Sequence, residues 1–148
     1  TTLARKWSED LLNGRWQGIP RPRGFFWWSF KDRTNADDFF ESALHYMSGG
    51  KVDQSKLRSA TNKMDFLAAM VLAMERESHC IFVLDGIDAV QHQQGNGYGD
   101  IKSEDLSQFV NYLSCFSHCL LTSNIPLIRY HNGVSYNLTR LSNIEGRE

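Results

Sequence analysis

The sequence predicts an α/β fold, a three-layer arrangement with helices on both faces of a parallel sheet. Three observations predict it. The apolar run Ile81-Phe82-Val83-Leu84 ends abruptly at Asp85, a second run, Cys119-Leu120-Leu121, ends in the hydroxyls of Thr122 and Ser123, and amphipathic stretches separate these runs. Continuous apolar runs bury on both faces, as in parallel sheets, and parallel neighbours need crossover connections, which helices supply.

The elements follow in order. Leu3, Trp7 and Leu11, with Ala4 and Leu12 beside them, recur at helical spacing, and Asn13-Gly14 ends a first helix over Thr2 to Leu12. After the loop 18–24, the segment Phe25-Phe26-Trp27-Trp28-Ser29-Phe30 fits a buried strand rich in aromatic residues. Asn35 caps a second helix, with Asp37 and Asp38 in its first turn and an apolar stripe of Phe39, Phe40, Ala43, Leu44 and Met47 before Gly49-Gly50. Met64, Leu67, Ala68, Val71 and Leu72 predict one longer helix from Leu57 to Met74, which delivers the chain to the Ile81 to Leu84 strand. Residues 91–100 lack periodicity and carry three glycines, so a mobile loop is expected there. Ser103, Glu104 and Asp105 start a fourth helix whose buried face is Leu106, Phe109, Val110, Leu113 and Phe116. The strand Cys119 to Ser123 follows, then a short one over Val134 to Leu138, and no internal repeat is evident.

Composition narrows the function classes. The 148 residues match one domain able to bury a sizeable core, and no window has the roughly 18 uninterrupted apolar residues of a membrane span. A formal net charge of -1 gives no global attraction to nucleic acid or to an anionic membrane. Three cysteines, Cys80, Cys115 and Cys119, lie in apolar stretches, which suits reduced core thiols in a cytoplasmic protein better than a disulfide frame. A zinc site built on Cys80, Cys115, His118 and Cys119 is disfavoured because no Cys-x-x-Cys occurs. Trp27 and Trp28 point to opposite faces of a strand, so packing explains them better than base stacking. Gly95-Asn96-Gly97-Tyr98-Gly99 opens no helix and is not a dinucleotide fingerprint.

The chemistry concentrates at strand ends. A carboxylate at the carboxyl end of a buried strand points into the crevice where open α/β sheets bind ligands, and in P-loop NTPases such an acid holds magnesium. Asp85 is that acid, and a plain strand terminus is the alternative. Thr1 and Thr2 read as the end of a phosphate-binding loop and the first turn of the helix it opens, Thr1 as a magnesium ligand and Thr2 beside the phosphates; an ordinary helix start is the alternative. The strand and the Gly-x-x-x-x-Gly-Lys that such a loop requires are not in the chain, so the expectation is a P-loop NTPase core lacking its first strand and most of its phosphate loop. Asp88 either orients a water for attack on the terminal phosphate or is a solvated acid. Thr122-Ser123-Asn124 belongs beside Asp85 at the same edge, where it senses a terminal phosphate or bonds locally in a turn before Pro126.

Several segments together resemble the bacterial STAND-class signalling NTPases related to NB-ARC and NACHT domains. Thr1-Thr2-Leu3-Ala4 resembles the end of their Gly-Lys-Thr-Thr-Leu-Ala phosphate loop. Phe26-Trp27-Trp28-Ser29-Phe30 and Asp38-Phe39-Phe40-Glu41-Ser42-Ala43-Leu44 resemble their second strand and Phe-rich helix, and Val83 to Gln91 is similar to their Leu-Asp-Gly-Leu-Glu-x-x-Gln magnesium motif. Leu121-Thr122-Ser123-Asn124 resembles their Thr-Ser-Arg sensor, and Leu138 to Gly146 their entry to a helical subdomain. The resemblance spans nearly the whole chain, 1–148, with 139–148 as the start of the helical subdomain. It implies an ATP/ADP switch in which nucleotide and Mg2+ hold a closed form and exchange permits homo-oligomerisation of the parent, with an effector domain before this region and repeat sensor domains after it. Asn124 departs from the family's arginine, and a neutral amide cannot replace a charged fork. Without its phosphate loop, the chain as given should bind nucleotide weakly or not at all. Two other classes compete. One is a non-catalytic interaction scaffold of the same fold. The other is an AAA-type motor, against which Gly86 stands where efficient ATPases place a second acid. Ile144-Glu145-Gly146-Arg147 also matches a protease tag site.

Overall fold

The computed structural model describes residues 2–127, except 54, 60, 61, 78, 94, 96 and 117, together with Val134 and Leu138. In chain order the elements are α1 (Thr2–Leu12), β1 (Gly24–Ser29), α2 (Ala36–Ser48), α3 (Ser55–Ser59), α4 (Lys63–Glu77), β2 (Cys80–Asp85), a 3-10 turn (Ile87–Val90), β3 (Gln91–Gln93), β4 (Gly99–Ile101), α5 (Glu104–Phe116) and β5 (His118–Leu121).

β1, β2 and β5 form a parallel sheet with β2 at its centre. Gly24 lies opposite Cys80 and Ser29 opposite Asp85, while Ile81 faces His118 and Leu84 faces Leu121. A central strand has no solvated face, and every residue of β2 is buried. Alternation along the strands sends two sets of side chains to opposite faces. Phe26, Trp28, Phe82 and Leu84 join the larger core, which α2, α4 and α5 cover with Phe39, Phe40, Leu44, Leu67, Val71, Phe109 and Leu113. Ile81 and Val83 pack on the other face against Ala4 and Leu11 of α1, with Trp7, Phe25, Trp27 and Leu120 alongside. Trp27 and Trp28 therefore pack on opposite faces, as strand geometry requires.

Helix boundaries follow local chemistry. Asn35 caps α2, its side chain accepting from the backbone N–H of Asp37 at 2.8 Å, and Gly49 closes the helix. The single helix expected from Leu57 to Met74 is two, α3 and α4. The second begins afresh after Asn62, whose Oδ1 accepts from the Asp65 N–H at 3.3 Å while its amide donates to the Asp65 carboxylate at 2.6 Å. That cap satisfies one orphan backbone donor of a new helix start, the Asp65 N–H, so the apolar periodicity continues while the helix does not.

The loop expected over 91–100 contains β3 and β4, an antiparallel ribbon with Gln91 opposite Ile101 and Gln93 opposite Gly99. Gly99 also bridges to Leu127, and its N–H donates to the Pro126 carbonyl at 2.8 Å, so backbone bonding on both sides orders a segment whose side chains gave no periodic signal. β5 stops at Leu121, leaving Thr122 and Ser123 beyond the strand. Of the three thiols, Cys80 is buried and Cys119 packs against the larger core, but Cys115 is exposed near the end of α5. The strand expected over Val134 to Leu138 and the subdomain entry at 139–148 lie outside the described residues. No helix among the described residues is long and apolar enough to cross a membrane.

Candidate functional site

Charged and polar side chains gather at the carboxyl end of the sheet. Asp85, the last residue of the central strand, is only 2% exposed. Its Oδ1 accepts a hydrogen bond from Thr122 Oγ1 at 2.6 Å, and Thr122 Oγ1 accepts from the Gly86 N–H at 2.9 Å. Burial of a carboxylate is costly without such donors, and a hydroxyl donating to a carboxylate makes a short, strong bond. The Thr122 backbone fixes the same junction, its N–H donating to Leu84 O at 3.0 Å and its carbonyl accepting from Ile87 at 2.9 Å. On the other side, Phe30 N–H donates to Asp85 O at 2.9 Å. Residue 85 is thus held between the ends of β1 and β5, by its backbone carbonyl on the β1 side and by its carboxylate on the β5 side.

Gly86 turns the chain out of the strand. Its φ of 70° and ψ of 43° lie in the left-handed region, and a Cβ there would come within 2.6 Å of Lys31 Cγ and 2.7 Å of Lys31 Cε. Only glycine meets both constraints without strain. The 3-10 turn that follows presents Asp88, which is taken up by Asn124: Asp88 Oδ1 accepts from the Asn124 N–H at 3.3 Å and Oδ2 from Asn124 Nδ2 at 3.0 Å. Next to this pair, Ser123 Oγ donates to Ile125 O at 2.7 Å and lies 3.2 Å from Gln91 Oε1. Gln91 is 5% exposed, and its Nε2 has no hydrogen-bond partner. The Thr122 to Asn124 segment therefore joins the strand end, the 3-10 turn and the β3–β4 ribbon.

The first helix arrives from the opposite face. Arg5 lies over the Trp27 ring at 5.7 Å, and Trp7 meets Phe25 edge-on at 6.2 Å, so α1 runs antiparallel to β1. Its first residue, Thr2, comes to the carboxyl end and is exposed. Thr1 lies outside the described residues. Of the residues singled out by sequence, Asp85 and Thr122 are in direct contact, Asp88 and Asn124 are in direct contact, and Thr2 shares their end of the sheet.

Two residues of this edge were not singled out as site residues. Lys31 follows β1 in a loop where sequence gave no site signal, and Gln91, the last residue of the segment resembling the magnesium motif, also opened the segment read as a loop. The abrupt Ser29-Phe30-Lys31-Asp32 transition, matching the Leu84-Asp85 transition of the neighbouring strand, was the available cue for Lys31.

No protein-family model matches the chain, and a search of curated proteins finds no significantly similar sequence.

A divalent cation is compatible with this donor set. Among the described residues no three His, Cys, Asp or Glu side chains cluster as a cation cage. Magnesium, however, is commonly held by one or two carboxylates together with substrate phosphates and water rather than by a protein cage. Asp85 supplies a carboxylate at the strand end, Thr122 a neighbouring hydroxyl. Burial pushes the Cys119 thiol of β5 up to about 12, so it stays protonated at neutral pH.

Proposed function

We propose that the chain is the nucleotide-binding core of an ATP/ADP-dependent signalling switch, a P-loop NTPase core of the STAND type that it resembles in sequence. The observation that carries this reading is the buried Asp85 carboxylate at the end of the central parallel strand, bonded to Thr122 on the adjoining strand end. Open α/β sheets bind ligands outside the carboxyl ends of their strands, and this is where the polar residues collect.

Topology supports the same reading. β1, β2 and β5 are ordered in one direction, with their connecting helices on one face, while α1 lies on the other. Parallel crossovers are right-handed in about 98% of cases. A parallel strand leading into α1 from the opposite face therefore belongs beyond β5, not beyond β1. There it would pair with an edge that has no strand partner among the described residues. Its turn into α1 would then lie beside Thr122 and Asn124, where a phosphate loop and a helix N terminus serve an anion.

In this reading Asp85 and Thr1 hold Mg2+ on the nucleotide, Thr2 and Thr122 lie near the phosphates, and Asn124 reads the nucleotide state through Asp88. The cation would neutralise phosphate charge. Hydrolysis in the parent is slow, because both Asp88 oxygens already accept from Asn124 and the acid must leave that partner before it orients a water. Nucleotide exchange would then govern assembly of the parent through neighbouring domains.

A second reading has its own observation. The same engagement of Asp85 by Thr122 and of Asp88 by Asn124 suits a non-catalytic interaction scaffold, in which the acids only tie strand ends and turns together. Calorimetric titration of the full-length parent with ATP and ADP in the presence of magnesium separates the two. The switch predicts binding that Asp85→Ala weakens at least ten-fold; absence of binding at millimolar nucleotide leaves the scaffold.

A further inference from the structure

Lys31 is a cation delivered to the candidate site by a loop hydrogen-bonded on both flanks. Phe30, fully buried, anchors the loop on one side, with its N–H on the Asp85 carbonyl at 2.9 Å. On the other side Arg33 N–H donates to Ser29 O at 3.1 Å, Trp28 Nε1 donates to Arg33 O at 3.2 Å, and the Arg33 guanidinium stacks over the Trp28 ring at 4.3 Å. Lys31 therefore leaves a backbone fixed at both flanks.

Its side chain lies along the next strand end. A Cβ at Gly86 would meet Lys31 Cγ at 2.6 Å, Cε at 2.7 Å and Cδ at 3.1 Å, so successive carbons of the stem lie against the glycine. The stem crosses from the end of β1 over the residue after Asp85, and the Gly86 N–H on the far side is bonded to Thr122. An apolar stem packed on backbone with a charged head left outside is a common way to place a lysine. Arg33, its cationic neighbour, is committed to Trp28, and Asp10 and Asp37 take Lys6, Arg15 and Lys63 elsewhere. Lys31 has no hydrogen-bond or ion-pair partner among the described residues. A lysine stem laid along Gly86, the residue after a buried carboxylate, suits an anion that arrives with a metal ion, since the anion can take the lysine while the carboxylate takes the metal.

We propose that Lys31 contacts the polyphosphate of the bound nucleotide, and that Gly86 follows Asp85 because the lysine stem needs the space a side chain would fill. The inference rests on the nucleotide-binding reading of Asp85. It accounts for a residue outside every segment that carries the family resemblance, and it supplies positive charge at an edge where Asn124 stands in place of arginine.

The test uses the full-length parent, with Lys31→Gln, Lys31→Arg and Asp85→Ala, each titrated calorimetrically with Mg·ATP, Mg·ADP and adenosine at two salt concentrations. A charge-assisted hydrogen bond to phosphate predicts that Lys31→Gln weakens ATP binding about ten-fold or more, leaves adenosine within two-fold, and flattens the salt dependence. Lys31→Arg keeps most of the affinity. Thermal melting of Lys31→Gln should match the unsubstituted protein, because the side chain is exposed. If Lys31→Gln binds ATP as the unsubstituted protein does while Asp85→Ala does not, Lys31 is a surface lysine and the nucleotide reading stands. An equal loss for ATP and adenosine would also overturn the phosphate contact. If the unsubstituted protein binds neither nucleotide, both the contact and the reading beneath it fail.

Discussion

At the amino end of the sheet the Tyr46 phenol packs on Gly24, 2.8 Å from where a Cβ would stand, and interacts with the buried Cys80. At the carboxyl end of the same strands Asp85 with Thr122, and Asp88 with Asn124, form two pairs of charged and polar contacts. One end is closed by an aromatic side chain whose ionisation burial opposes. The other holds a buried carboxylate and leaves Lys31 and Thr2 exposed. Strands of a parallel sheet share their direction, so such a difference between ends has a single orientation for the whole layer. The lesson is that apolar packing runs along the larger face to both ends, whereas charged and polar contacts gather at the carboxyl end.

The most damaging way to break this comparison is to remove the support common to both ends. Phe39 is fully buried and meets Phe26, Trp28, Phe30, Phe40 and Phe109 at centroid separations between 5.3 and 6.0 Å. Phe39→Ala should cost about 3–5 kcal/mol in denaturant unfolding, because the lost contacts leave a cavity among rings that cannot collapse. Probes at both ends should unfold together.

Thr122→Val sharpens the contrast at the carboxyl end alone. It keeps the shape but leaves Asp85 Oδ1 without its 2.6 Å donor and the Gly86 N–H without its acceptor. A destabilisation of about 1–3 kcal/mol follows, measured by the same unfolding experiment. The Trp28 environment should change little, since Trp28 packs in the larger core.

Gly86→Ala should cost about 1–2 kcal/mol from the left-handed backbone, together with displacement of the Lys31 stem. Pairing it with Lys31→Ala separates the two contributions. The lysine truncation removes the clash and leaves the backbone strain, so the double variant should recover part of the loss.

The amino end is probed most gently by pH. Burial, and then the interaction with Cys80, raises the Tyr46 phenol above its ordinary value of 10.0, and burial pushes Cys119 up to about 12 from 9.0. Both groups are neutral in the folded chain where the unfolded chain begins to ionise. Their contribution is therefore complete below pH 9 and declines as pH rises, between 9 and about 12 for Cys119 and above 10 for Tyr46. Melting temperature should fall over that alkaline window, and Tyr46→Phe should shallow the fall above pH 10.

Most of the sheet was legible in sequence because period and burial agree there. Ile81 to Leu84 is apolar throughout and is central, and Phe25 to Trp28 alternates between two cores as adjacent strand residues must. The joint position of Thr122 and Asp85 followed from both being strand ends. The start of α4 was missed because apolar periodicity ran across it, although Asn62 with Asp65 three residues later is a capping signal. β3 and β4 were missed because Gln-His-Gln and Gly-Asp-Ile carry no alternating hydrophobic pattern; backbone pairing with each other and with Leu127 orders them. The Asp88–Asn124 and Gln91–Ser123 contacts join residues over thirty positions apart through polar side chains, which periodicity cannot register.

The central claim is that the carboxyl end of the sheet is the nucleotide site, and amide chemical shifts of the isotopically labelled parent, titrated with Mg·ATP, test it most directly. The account predicts shifts at Lys31, Gly86, Thr122 and Asn124, with Arg23, Gly24 and Cys80 at the amino end unmoved. Shifts confined to the amino end, or none anywhere at saturating nucleotide, would contradict it.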